Sequence, residues 1–162
     1  VAVRPPAAVI GTDLGGATKV GTLSFNTNQP GTTGTVALTS TVQGANLVFQ
    51  DSAQQPISQI ELADPNGACP PPATVFIRNT GNLEATLTNA SSSTGFTVGG
   101  FTPSSTVAPG ATISHELRAL TFGSCTAADG VQYQVTGTVC TATPLVLQAT
   151  LTITGSSTCF CS

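Results

Sequence analysis

The chain has 162 residues, of which 40% are hydrophobic and only 7% charged, with a formal net charge of −3; ordinary soluble domains carry about 25% charged residues. That length is enough for one domain with a substantial core, and the mean hydropathy of +0.25 separates it from apolar-poor disordered chains. Four Lys and Arg residues in all exclude a nucleic-acid surface, which has to neutralise several phosphates, and no apolar run is long enough to span a bilayer.

The first segment, residues 1–16, reads as a strand detached from its own sheet. Val1, Val3, Ala7 and Val9 alternate with Ala2, Arg4, Ala8 and Ile10, so both faces are largely apolar and both call for burial. Pro5 and Pro6 exclude a helix and remove two ladder donors, which confines the segment to a sheet edge or a groove. Gly11, Gly15 and Gly16 make a hinge before patterned sequence begins at Ala17. The reading is an arm that reaches into a neighbouring subunit, with Val1, Val3, Ala7, Val9 and Ile10 as its contacts. The chain starts at Val1 rather than Met, which predicts a leader removed during secretion.

Residues 17–162 read as one β domain with a cysteine-containing C-terminal tail. Period-two patterns predict strands at 17–26, 34–42, 45–50, 57–63, 73–79, 83–88, 95–101, 111–122, 131–141 and 144–154. Turn signals fall between them, among them Asn28-Gln29-Pro30-Gly31, Asp64-Pro65-Asn66-Gly67, Asn79-Thr80-Gly81-Asn82, Ala108-Pro109-Gly110 and Asp129-Gly130. Apolar positions such as Leu145, Leu147, Ala149, Leu151 and Ile153 alternate with Thr and Gln, giving each strand one buried and one wet face. The fold class is therefore all-β, an antiparallel sandwich.

Candidate chemistry is sparse. Lys19 is the only lysine and reads as an exposed strand residue rather than an isopeptide donor. Asp64 beside Glu61 reads as a solvated turn. Asn89-Ala90-Ser91 is a glycosylation sequon in a Ser-rich stretch expected to be a loop. The single histidine, His115, shares a face with Ile113 and Leu117 and is expected in the core. The sequence offers no nucleophile motif, phosphate loop or dinucleotide fingerprint, so neither catalysis nor a cofactor or metal is expected.

Five cysteines with no Met and no Trp fit an oxidising compartment. If 131–141 and 144–154 form a hairpin around Ala142-Thr143, position 159 faces 126 and position 161 faces 124. Cys125 is then expected to pair with Cys159 or Cys161, leaving Cys69 for Cys140 and one odd terminal cysteine, either a free thiol or bonded to another subunit.

The run Thr74-Val75-Phe76-Ile77-Arg78-Asn79-Thr80-Gly81-Asn82, followed by Val107-Ala108-Pro109-Gly110 and a long strand, resembles extracellular immunoglobulin-like domains. Together with the arm, the low charge and the cysteines, the whole resembles the archaeal bundling pilins related to the TasA-like biofilm-matrix filament family. That resemblance implies jelly-roll-like subunits that polymerise by donating an N-terminal strand. The function expected is thus a secreted, disulfide-containing structural subunit of an extracellular filament. Its partners are other copies of itself, with no nucleic acid, membrane span or small-molecule substrate. A viral coat or decoration protein is the alternative, and a monomeric surface ligand-binding module a third.

Overall fold

Alternation of apolar side chains with Thr, Ser and Gln folds the chain into β-strands throughout. The structure, a computed structural model, describes residues 18–26, 31, 33–64, 66–67, 69–92, 95–120 and 125–154. These hold eleven strands and no helix: β1 (Thr18–Asn26), β2 (Thr33–Thr41), β3 (Leu47–Gln50), β4 (Gln59–Asp64), β5 (Ala73–Asn79), β6 (Ala85–Ser91), β7 (Phe96–Gly99), β8 (Ser105–Val107), β9 (Thr112–Ala119), β10 (Thr126–Thr136) and β11 (Leu145–Ile153). They form three sheets: a five-stranded one in the order β4-β11-β10-β6-β8, a four-stranded one in the order β3-β5-β9-β7, and the pair β1-β2.

The two larger sheets share one core. Leu87, Val131, Tyr133, Leu147 and Leu151 from the five-stranded sheet meet Leu47, Phe49, Val75, Ile77 and Leu117 from the four-stranded sheet, all buried. An aromatic group bridges the layers: the Tyr133 ring lies 5.6 Å from both Phe49 and His115, stacked on the imidazole and tilted against Phe49. Burying a large apolar side chain contributes about 1.5–3 kcal/mol, so this core carries the fold's stability. Among the described strands every pairing is antiparallel except β11 with β4, which run parallel, and the isolated bridge between Ala45 and Val139 is parallel too; both depart from the wholly antiparallel expectation.

The predicted hairpin register does not form. A two-residue turn at Ala142-Thr143 would set Tyr133 opposite Thr152, matching an apolar face with a polar one. In the structure Tyr133 faces Leu145 and Val131 faces Leu147, which keeps both apolar faces on one side of the sheet. Residues 137–144 make the connection instead. Asp129-Gly130, read as a turn, lies inside β10, where the Asp129 carboxylate accepts from the Ser92 hydroxyl at 2.7 Å and from the Gly130 amide at 2.7 Å. β8 was not foreseen, because three residues are too few to show a period.

Candidate assembly surface

Among the described residues the β1–β2 ribbon is a sheet of two strands only, and none of its side chains belongs to the shared core. Its register sets Leu23 opposite Val36, Phe25 opposite Gly34 and Gly21 opposite Leu38, so Leu23, Phe25, Val36 and Leu38 lie along one face. Thr22, Ser24, Thr35 and Thr39 lie on the other. The apolar face is patterned like a core face, yet Leu23, Phe25 and Val36 are 44%, 49% and 46% exposed. Phe25 lies flat across Gly34, where a Cβ would come within 2.2 Å of the ring. Of Lys19, only the backbone is described, in β1 opposite Ser40.

The larger sheets expose four edge strands: β4 and β8 on one, β3 and β7 on the other. β4 pairs with β11 on one side and with no strand among the described residues on the other. Beside that edge a cleft of about 440 Å³ is lined by Ile57, Ile60, Gln59, Glu61, Asp51 and Thr74. β3 stops at Gln50 opposite Phe76, so the start of β5 lacks a neighbour on the side where the cleft opens. The long, regularly alternating strands β10 and β11 each have a partner on both sides and offer no edge to a donated arm. The arm residues Val1, Val3, Ala7, Val9 and Ile10, and the hinge glycines Gly11, Gly15 and Gly16, lie outside the described residues.

The cysteines divide differently from the sequence-based expectation. Cys69 and Cys125 are both disulfide-bonded, whereas Cys140 is a free thiol, so the Cys69–Cys140 bridge does not form. Geometry explains why. Cys140 follows β10 at the end where its amide donates to the Ala45 carbonyl at 2.7 Å, and its sulfur sits over Gly44. Cys69 follows β4 at the other end, where the Cys125 carbonyl accepts from the Ile153 amide at 2.9 Å. Eleven residues of β10, about 35 Å of strand, separate those ends, far beyond disulfide reach. Cys159 and Cys161 lie outside the described residues.

Asn89 is exposed on β6 opposite Gln134 and not in a loop. Asp64 accepts from the Asn66 amide at 2.7 Å as a turn-capping residue, while Glu61 is exposed on the opposite face. His115 is buried on β9, edge-on to Phe101 at 5.1 Å. Its Nδ1 has no hydrogen-bond partner, and burial lowers its pKa below the usual imidazole value. Burial likewise pushes the Tyr133 phenol up to about 12. Neither arrangement supplies a base near a nucleophile. Among the described residues, no group of three or more His, Cys, Asp or Glu is placed to hold a metal ion, and no helix is long and apolar enough to cross a membrane.

One residue escaped sequence reasoning except as a turn former. Asn79 is fully buried and satisfied on every side. Its Oδ1 accepts from the Asn46 and Gly81 amides at 3.1 and 2.9 Å. Its Nδ2 donates to the Leu83 and Val107 carbonyls at 2.7 and 2.9 Å. This amide ties the entry to β3, the β5–β6 turn and the end of β8 into one corner. Gly81 completes it, because a Cβ there would fall 2.2 Å from the Gly44 carbonyl oxygen.

No protein-family model matches the sequence, and no curated protein matches it. Among solved structures, the chain is similar to a protein of unknown function from Porphyromonas gingivalis W83, with a TM-score of 0.50 at 10% sequence identity over 83% of this chain. The matched region spans 65% of that protein's length. At so low an identity the likeness concerns the fold alone.

Proposed function

We propose that this chain is a structural subunit of an extracellular filament, a jelly-roll-like or immunoglobulin-like β-sandwich that polymerises by donating its N-terminal arm to the next copy. The observation that carries the reading is the β4 edge. Six residues of backbone, Gln59–Asp64, have no strand partner on one side among the described residues, beside a cleft containing Ile57 and Ile60. An open edge next to a cleft lined in part by two isoleucines is an aggregation template unless something occupies it. Residues 1–10 match its needs: an extended segment adds main-chain hydrogen bonds while alternate side chains fill the cleft. Val1, Val3, Val9 and Ile10, buried at about 1.5–3 kcal/mol each, outweigh the cost of ordering the arm. The low charge suits a polymer subunit, since it leaves little repulsion between copies. Disulfides at Cys69 and Cys125 fit an extracellular setting, and the filament needs no catalysis or cofactor.

Deletion of residues 1–12 tests the reading. The truncated subunit is expected to lose polymerisation, as seen by electron microscopy and sedimentation. Adding the free 1–12 peptide is expected to return a soluble, stable monomer. Fibres from the truncated protein would overturn strand donation, and closed shells from the full chain would overturn the filament in favour of a coat protein.

A further inference from the structure

We infer that the apolar face of the β1–β2 ribbon is an intersubunit contact, covered in the assembly by the copy that receives the arm. Leu23, Phe25, Val36 and Leu38 form a continuous stripe on one face of a nine-pair ribbon, about 30 Å long at strand rise. A lone two-stranded ribbon is at best marginally stable in water, so this face needs a partner. Two observations identify a second copy as the occupant. Residues 20–41 contain no charged side chain, so from Val20 onward the ribbon neither selects a charged partner nor protects its edges from pairing with charge; position 19, on the stripe's face at one end, is a lysine. The chain also leads directly from the arm into β1: only the hinge, residues 11–16, and Ala17 separate Ile10 from Thr18. That linker reaches at most about 29 Å, about the ribbon's own length. A copy holding the arm is therefore kept close to the ribbon at high effective concentration. The inference rests on the arm-donation reading and adds to it a second contact, lateral to the donated strand.

Hydrogen exchange followed by mass spectrometry, on the full chain dilute and assembled, tests it together with the variant L23S/F25S/V36S. The substitutions lie on exposed side chains outside the two-sheet core, so the melting temperature of the dilute variant should match that of the wild type. In wild-type assemblies the β1 and β2 amides are expected to become protected relative to the dilute subunit, and the variant should need a concentration higher by about tenfold or more to assemble. Protection of β4 amides on assembly reports arm donation separately. Assemblies with protected β4 but a freely exchanging ribbon would overturn the ribbon contact and leave strand donation standing. A dimer with a protected ribbon but no filament would do the reverse. A ribbon already protected in the dilute subunit, or an unchanged assembly concentration in the variant, would show that its face needs no second copy. A chain that stays monomeric at every concentration would overturn both.

Discussion

The two-sheet body and the β1–β2 ribbon use the same sequence vocabulary and reach opposite outcomes. In β11, Leu145, Leu147, Ala149, Leu151 and Ile153 alternate with polar residues and are buried. In the ribbon, Leu23, Phe25, Val36 and Leu38 alternate as regularly, and the first three stay about half exposed. The difference lies in what stands opposite. β11 is flanked by β4 and β10 and faces a second sheet; the ribbon has only its own two strands. Alternation therefore marks a face built for burial without saying whether the same molecule buries it.

The contrast breaks most sharply at Asn79. Asn79→Ala leaves two amides and two carbonyls without their side-chain partner in the buried corner. Orphaned groups cost about 1–3 kcal/mol each, so the body should lose about 3–6 kcal/mol, measured by denaturant unfolding. That is a large part of an ordinary domain's stability. Ribbon exchange in the dilute subunit should barely change, because no Asn79 bond reaches it. A loss below about 1 kcal/mol would mean that the corner is held by backbone alone.

Reduction should come next. Cys69 and Cys125 belong to the body, and residues 18–41 contain no cysteine. Breaking a bridge costs about 2–4 kcal/mol, whereas the exposed Arg118–Glu116 pair contributes about 0–1 kcal/mol. Reductant should therefore lower the melting temperature far more than high salt does. Equal small shifts would contradict this ranking.

Acidity gives the smallest and most local effect. Because burial lowers the folded pKa of His115, the unfolded chain binds the proton first. Stability attributable to His115 is full above pH 6.5 and falls as pH drops from there through the lower folded value, by up to about 1.4 kcal/mol per pH unit. Tyr133 acts at the other extreme: its phenol, raised to about 12, contributes stability that is lost as pH rises from about 10 towards that value. His115→Phe should flatten the acid slope. A slope unchanged in that variant would assign it to the carboxylates instead.

Most of the strand framework was legible in the sequence, because nine-residue stretches such as Leu145–Ile153 show their period plainly. Three features were not. The short β8 has no room for a pattern. Asp129-Gly130 carries turn chemistry, but Ser92 and the Gly130 amide satisfy the aspartate within a strand. The β10–β11 register could have been read correctly by requiring apolar faces to coincide, and choosing the shortest turn overrode that requirement. The Cys69–Cys140 pairing failed as a consequence. At the candidate site, the apolar stripe of the ribbon was visible but its exposure was not, since exposure depends on missing neighbours. Asn79 looked like a turn residue because its partners Asn46 and Val107 are distant in sequence.

The parallel pairing of β11 with β4 also sets a timetable. Thr150 meets Ile60 across a separation of 90 residues, and β11 fills the gap between β4 and β10. Until β11 emerges from the ribosome, both of those strands lack the neighbour that joins them, and β4 stays separate from the rest of the five-stranded sheet. Contacts this distant make folding slow. A nascent chain that cannot close its main sheet early lacks its complete core for most of its synthesis.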